Sequence, residues 1–246
     1  MDKFIQKFNE VRNMGFVNSN RSNNTGVGKT FEDLMGVVEN NRTDPDLFGF
    51  EIKTQRSLSG SHVTLFTKSP TFPKGANNII KQKYGYTEDG CSDQNIKKIH
   101  TSLFAHRITR NENSGYSFKL DVDRKEEKIY IVVYGNCNDI IDRSIYYSFC
   151  VIEKSLFKID NLAYIFAEKE INNGVERFHF VRAILYSGFK GFEFFINEIE
   201  KGNIMYDIRI GSYKSGSKFG KAHDHGSGFR IRKDLISSLY KESCEI

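Results

Sequence analysis

The stretch DPDLFGFEIKT at positions 44–54 combines a turn with the start of a strand. Phe48 to Thr54 alternates apolar and polar side chains, a pattern typical of a half-buried β-strand. Because strand side chains repeat every second residue, Glu51 and Lys53 share one face, and Phe50 and Ile52 face the core. The proline after Asp44 favours an extended backbone there. The sequence therefore predicts two carboxylates and one ammonium group at a single sheet edge.

Two carboxylates beside a lysine suit metal-dependent hydrolysis of a phosphodiester. Carboxylate oxygens are ligands for Mg²⁺, which keeps several of its waters. Such a metal polarises the phosphodiester and lowers the pKa of a bound water. A neighbouring lysine can orient or deprotonate that water and offset the charge on the phosphate. Since a Glu-x-Lys pair also arises on ordinary surface strands, the preceding acid and a basic partner segment are needed to favour a nuclease.

Residues 201–233 supply such a basic segment. It holds two acids, Asp207 and Asp224, against the cations Lys201, Arg209, Lys214, Lys218, Lys221, Arg230, Arg232 and Lys233. A glycine-rich patch of this charge fits a polyanion, of which nucleic acid is the usual one. The alternative is a solvated basic surface.

The composition indicates a globular protein. The chain has 246 residues, a net charge of +5, 21 Phe and 12 Tyr, which is ample apolar surface for a core. No apolar run approaches the roughly 18 residues of a membrane helix, and the N-terminus has no long apolar stretch of a signal peptide. We therefore expect a cytoplasmic protein that binds no membrane. The cysteines form no CxxC pair, which disfavours a zinc ribbon; they are Cys91, Cys137, Cys150 and Cys244.

The order of predicted elements favours an α/β or α+β fold. Helices are predicted over 2–12, with Asp2 as N-cap, and over 28–39, 192–199 and 233–243. Strands are predicted over 48–54, 62–67, 143–151, 177–185, 205–210 and 228–232, with a hairpin from 116–122 to 128–134. No proline-rich or low-complexity linker divides the chain. We predict one domain over 1–246, with a catalytic half over roughly 1–110 and a DNA-reading half over roughly 111–246.

Two N-terminal segments resemble the MutH-like branch of the PD-(D/E)XK nucleases. Asp44, Glu51 and Lys53 have the spacing of its DX₆EXK active-site motif. Residues 28–36, GKTFEDLMG, resemble the glycine-flanked helix that carries a further acidic active-site residue. Glu32 falls at that acidic position.

Two C-terminal segments narrow the resemblance to the MvaI/BcnI group of type II restriction endonucleases. Residues 228–235, GFRIRKDL, resemble the C-terminal strand-to-helix segment of this fold, and Arg230 falls at its base-reading position. His-Asp-His at 223–225 resembles an insertion of the group. The resemblance implies a mixed central sheet flanked by helices, in two lobes around a DNA cleft. It implies a monomeric, Mg²⁺-dependent hydrolase that cuts double-stranded DNA at CC(A/T)GG and leaves 5′-phosphate and 3′-hydroxyl ends. A bacterial enzyme of this kind works beside a cognate DNA methyltransferase.

The resemblance and the residues together define a candidate catalytic set. Its members are Glu32, Asp44, Glu51 and Lys53. The expected metal ligands are Asp44, Glu51 and the backbone carbonyl of Ile52. Asp46 directly follows the proline, as in the literal Pro-Asp signature, and competes with Asp44. We prefer Asp44 because it aligns with the motif without a gap.

The candidate DNA-reading side chains lie in the basic segment. They are Asp207, Arg209, His223, His225 and Arg230. Arginine reads guanine O6 and N7, and an acid accepts from cytosine N4. The loop histidines can read guanine edges, whereas two histidines without a third ligand make a poor zinc site. A surface ion pair is the alternative for Asp207 and Arg209.

Two other functions remain as alternatives. One is a MutH-type nicking endonuclease of DNA mismatch repair, and the other is a DNA-binding module without catalysis. A nucleotide-binding P-loop is disfavoured. Residues 25–30, TGVGKT, end like one, but Asn23 stands where the pattern requires glycine and no apolar strand precedes it.

Overall fold

The structure is a computed structural model that describes residues 1–21, 25–37, 47–56, 62–87, 93 and 96–246. The α-helices of these ranges are α1 (Asp2–Arg12), α2 (Gly26–Met35), α3 (Ala76–Tyr84), α4 (Phe149–Leu156) and α5 (Phe192–Glu200). The strands are β1 (Val17–Asn18), β2 (Glu51–Arg56), β3 (Val63–Thr67), β4 (Tyr86–Thr87), β5 (Lys97–Leu103), β6 (Thr109–Arg110), β7 (Ser117–Asp123), β8 (Lys128–Tyr134), β9 (Ile140–Ser148), β10 (Leu162–Asn172), β11 (Val175–Phe189), β12 (Ile204–Ser212), β13 (Ala222–Asp224), β14 (Gly228–Ile231) and β15 (Tyr240–Glu245). Short 3₁₀ helices cover Phe157–Ile159, Gly216–Lys218 and Lys233–Leu239.

The chain divides into two compact units, each assembled from separated segments. The first unit comprises Met1–Ser61, Ser155–Gly191 and Lys233–Ile246, and the second comprises His62–Lys154 and Phe192–Arg232. Both units therefore take residues from before and after position 110. The assignment of catalysis to one half of the chain and DNA reading to the other stays a prediction.

The first unit is a mixed sheet covered by two helices. Its strand order is β1-β11-β10-β2, and β15 also pairs with β11. Strand β2 runs parallel to β10, and the other pairs are antiparallel. Phe4 of α1, Phe31 of α2 and Ile52 of β2 belong to one buried apolar cluster. Because Ile52 faces these helices, the alternation of β2 directs Glu51 and Lys53 to the other face of the sheet.

The second unit contains two antiparallel sheets. One has the order β3-β14-β12-β5-β4, with β13 also on β12, and the other has the order β6-β7-β8-β9. Buried rings of Tyr147, Tyr206 and Phe229 contact one another, with ring centroids 5.2 to 5.4 Å apart. These rings fix β12 and β14, the two strands that carry the predicted DNA-reading arginines.

Several predicted elements are confirmed. Helix α1 has the predicted bounds, and β7 and β8 form the predicted hairpin. Helix α2 begins two residues before the predicted helix and ends at Gly36, whose φ of 81° is the left-handed conformation that suits glycine. No helix in the described part of the chain has the length and apolar character needed to span a membrane.

Three local predictions are wrong. The N-cap of α1 is Met1, not Asp2, which lies in the first turn. The predicted strand over 143–151 ends at Ser148, where α4 follows. The predicted terminal helix over 233–243 is a 3₁₀ helix followed by β15, since β15 completes its hydrogen bonds by pairing with β11.

Candidate active site

Strand β2 begins directly after a two-residue turn. Leu47 and Phe50 exchange two backbone hydrogen bonds of 3.1 and 2.9 Å around Phe48 and Gly49. The φ angles of these central residues are 50° and 82°, and positive φ at both positions characterises a type I′ turn. The turn leads the chain straight into Glu51. The predicted ligand Asp44 and its competitor Asp46 lie outside the described residues.

The Glu51 carboxylate is buried between two lysines. Its side chain is 3% exposed, and Oε1 lies 2.5 Å from Lys53 Nζ. Its other oxygen, Oε2, lies 3.1 Å from Lys158 Nζ. An ionised carboxylate is costly to bury unless it is paired, so the two ammonium groups stabilise it in this position. The structure thus brings together Glu51 and Lys53, as the strand alternation predicts, and adds Lys158, which the sequence motif does not mark.

Lys158 reaches Glu51 because β10 lies beside β2. Leu162 is the register partner of Glu51, and the Glu51 N–H donates to the Asn161 carbonyl at 3.0 Å. Lys158 lies four residues before Leu162, in the 3₁₀ helix that leads into β10. The neighbouring Ile159 is fully buried, and its carbonyl accepts the Tyr240 hydroxyl at 2.9 Å. The main chain that carries Lys158 is therefore fixed at the start of β2.

Glu32 lies on the helix that crosses the opposite face of β2. A methyl group on Gly28 would lie 3.1 Å from Thr54 Oγ1 and 3.9 Å from Glu32 Oε1. Glycine at position 28 thus lets α2 approach β2 closely and brings Glu32 near Thr54. By strand alternation, the Thr54 side chain is on the face opposite Glu51. The described contacts place Glu32 beside the strand, near Thr54.

The described residues supply part of a metal site with oxygen ligands. Glu51 offers a carboxylate and Ile52 a backbone carbonyl, and both are ligand types that Mg²⁺ accepts. Within the described ranges no three His, Cys, Asp or Glu side chains are close enough to hold a metal ion. The other carboxylate of the motif belongs to the segment 38–46, which is not described. The available donors fit a hard divalent cation, provided that this segment contributes its acid.

A carboxylate of the second unit holds two arginines. Asp207 Oδ2 accepts from Arg209 Nε at 2.6 Å and lies 3.1 Å from Arg230 Nε, while Oδ1 accepts from Ser102 Oγ at 3.0 Å. Asp207 is buried, and the Arg209 side chain is 47% exposed. Burial lowers the pKa of Arg230, and the charge of Asp207 opposes that effect. The structure therefore places the three predicted residues together and directs the outer guanidinium toward solvent.

His223 and His225 belong to an aromatic cluster, and His223 lies in β13 and not in a loop as predicted. The rings of Tyr213 and His223 are stacked, with centroids 4.3 Å apart, and His223 and His225 are 4.2 Å apart. His100, the register partner of Arg209, extends the cluster at 6.4 Å from His225. Burial, followed by the charge of His225, lowers the pKa of His100, so this ring is neutral at pH 7.

One surface pocket unites the two groups of the second unit. Its volume is 370 Å³, and its walls are His100, Thr101, Ser102, Asp207, Arg209 and His225. No sequence motif marks His100, because it joins this group only through the pairing of β5 with β12. The lining of the pocket offers charged and neutral hydrogen-bonding groups, which is the chemistry needed to contact base edges.

Residues 5–240 match the MvaI/BcnI restriction endonuclease family, and the chain belongs to that family. It is a type II restriction endonuclease, a hydrolase that cuts DNA at specific sites. The predicted family and fold are thereby confirmed. Restriction endonucleases of this kind are metal-dependent.

Two solved structures are similar over nearly the whole chain. The restriction endonuclease MvaI in complex with its cognate DNA substrate is 35% identical, with a TM-score of 0.89 and coverage of 99% of this chain and 97% of that one. MvaI in the absence of DNA is 35% identical, with a TM-score of 0.63 and coverage of 98% and 95%. The comparison with curated proteins returns no match.

Proposed function

We propose that the protein binds double-stranded DNA and cuts it at CC(A/T)GG with Mg²⁺, leaving 5′-phosphate and 3′-hydroxyl ends. The observation that carries the proposal is the buried Glu51 carboxylate, with Lys53 at 2.5 Å on the same strand face. Membership of the family and similarity to MvaI, which was solved with its cognate DNA, support DNA as the substrate. The target CC(A/T)GG and the choice of Mg²⁺ rest on the family resemblance.

The first unit supplies the proposed hydrolytic residues. Glu51 and the Ile52 carbonyl, with Asp44 or Asp46, would hold the metal, which when bound polarises the phosphodiester and lowers the pKa of a water. Lys53 holds its ammonium group at the carboxylate, where it can orient the attacking water and offset phosphate charge. Glu32 of α2 is the fourth member of the proposed catalytic set, and this assignment rests on the family resemblance alone, since its helix packs on the face of β2 opposite Glu51.

The second unit supplies the proposed reading residues. Arg209 is bound to Asp207 through Nε, which leaves its outer N–H groups for guanine O6 and N7. Arg230, His223 and His225 complete the set. The surrounding lysines contact phosphates, which positions the duplex without specifying its sequence. As further parts of the proposal, the enzyme acts as a monomer in the bacterial cytoplasm, and a cognate methyltransferase protects the host DNA.

Purified protein with Mg²⁺ is expected to cut a plasmid that carries one CC(A/T)GG site. Because a monomer has one set of hydrolytic residues, nicked circles should appear before linear DNA. Gel analysis over time follows the two products, and sequencing of the ends identifies the site and the terminal groups. Excess EDTA is the control. Nicking without linear product would instead favour a MutH-type enzyme, and binding without any cut would favour a non-catalytic module.

Asp207→Asn is expected to reduce discrimination between CC(A/T)GG and single-base variants by about 10- to 100-fold. The substitution keeps the size of the side chain and removes the charge that holds Arg209 and Arg230. The measurement is the ratio of cleavage rates on target and altered duplexes. Asp121→Asn is the matched control, because Asp121 also pairs with an arginine, Arg143, at 2.9 Å in the same unit. If Asp207→Asn leaves the ratio of cleavage rates on target and altered duplexes unchanged, Asp207 has no role in recognising the DNA sequence.

A further inference from the structure

The Glu51 carboxylate has a cation on each oxygen, and one of these cations lies outside the nuclease motif. Lys53 Nζ lies 2.5 Å from Oε1, and Lys158 Nζ lies 3.1 Å from Oε2. We propose that Lys158 competes with the divalent cation for Glu51 and thereby sets the metal affinity of the DNA-free protein. The inference rests on the proposed function, since it takes Glu51 to be a metal ligand.

The position of Lys158 is determined by the fold. It lies in a 3₁₀ helix just before two fixed points, the fully buried Ile159 and the Asn161 carbonyl, which accepts the Glu51 N–H. The Tyr240 hydroxyl also holds the Ile159 carbonyl. The backbone therefore keeps the lysine stem beside Glu51, whatever the ammonium group contacts.

The side chain of Lys158 is less constrained than its backbone. It is 30% exposed, whereas that of Glu51 is 3% exposed. The ammonium group can therefore turn toward solvent, while the carboxylate stays in place. Of the two side chains, Lys158 is therefore the one that can move away when another cation approaches Glu51.

Charge explains why the two cations compete. Among the described groups, one carboxylate and two ammonium groups carry a net charge of about +1 before any dication arrives. Mg²⁺ binds oxygen at 2.0–2.1 Å, so a metal on Oε2 would lie next to an ammonium group that now sits 3.1 Å from the same atom. The repulsion at such a short separation in a partly buried site is large compared with that in water. A metal ion held by Oε2 would therefore require Lys158 to leave that oxygen.

Lys158→Met is expected to lower the Kd for Mn²⁺ about tenfold in the absence of DNA. Mn²⁺ is a suitable probe because it takes the same oxygen ligands as Mg²⁺, and its free form is measured by electron paramagnetic resonance. Lys158→Arg keeps the positive charge and should retain the wild-type Kd. If Lys158→Met does not fold, as judged by thermal unfolding, Lys158→Gln removes the same charge and keeps a hydrogen-bond donor.

Lys169→Met is the matched control. Lys169 forms an ion pair with Glu176 at 2.7 Å in the same unit, near the far end of β10 from Leu162. Its loss changes the net charge equally and should leave the Kd unchanged. Glu51→Gln tests separately whether the wild-type protein binds Mn²⁺ through Glu51. If it does, a Kd of Lys158→Met that equals or exceeds the wild-type Kd would overturn the inference about Lys158 and leave the proposed metal site standing. If the wild-type protein binds no Mn²⁺, or binds it equally well after Glu51→Gln, the proposed metal site is overturned as well.

Discussion

Glu51→Gln is expected to lower the rate of DNA cleavage by about a thousandfold or more while leaving DNA binding in the absence of metal within a few-fold of wild type. Glutamine has nearly the shape of glutamate but no negative charge. The change therefore removes the charged metal ligand and leaves one neutral acceptor oxygen for Lys53 and Lys158, since the amide nitrogen only donates. Positive charge near DNA does not weaken its binding, so the loss should appear in the chemical step. Single-turnover cleavage and fluorescence anisotropy measure the two properties separately.

Glu168→Gln is the matched control for this prediction. Glu168 is an exposed residue of β10, the strand that pairs with β2, and the same chemical change there should leave the cleavage rate unchanged. Since Glu51 is buried between two cations, thermal unfolding should verify that the variant folds. A folded Glu51→Gln protein that cleaves DNA at a rate close to wild type would refute the role of Glu51 as a metal ligand.

The part of the active site that the sequence predicts is local. Glu51 and Lys53 are two residues apart on one strand, so the period of a strand is enough to place both side chains on one face. The bounds of α1 likewise follow from apolar residues at helical spacing, among which Phe4, Phe8 and Val11 are buried. In both cases the information lies within a few residues of the feature that it determines.

The part that the sequence does not predict depends on contacts between distant segments. Lys158 meets Glu51 because β10 lies parallel to β2, and His100 joins His225 because β5 pairs with β12. The C-terminal segment has a helical pattern of apolar residues but becomes β15, because Tyr240 stacks on Tyr186 and the strand pairs with β11. The sequence of one segment alone does not reveal which strand it will pair with, or in which register.

The interleaving of the two units explains why the motif could not reveal Lys158. The chain leaves the first unit after Ser61 and returns at Ser155, with the intervening residues in the second unit. Lys158 is therefore one of the first residues after that return. Lys158 is close to Glu51 in space, but the two residues are too far apart along the chain for a short sequence motif to include both.

The two candidate aspartates of the motif should differ sharply in their effects. Motif spacing favours Asp44, but the described turn gives a reason to expect the larger loss from Asp46→Asn. Leu47 is bonded to Asp46 and Phe50 to Glu51, and Leu47 and Phe50 form a hydrogen-bonded antiparallel pair. Asp46 is thus the acid that directly precedes the turn into Glu51, whereas Asp44 is two residues further away along the chain.

Asp46→Asn is therefore expected to reduce cleavage by about a thousandfold, and Asp44→Asn by less than about tenfold. Each variant is the matched control of the other, since both lose one carboxylate from the same acidic segment. The measurements are the single-turnover cleavage rate with Mg²⁺ and the Kd for Mn²⁺ without DNA, which should rise with the loss of a ligand. A larger loss in Asp44→Asn would contradict this expectation and support the assignment made from motif spacing.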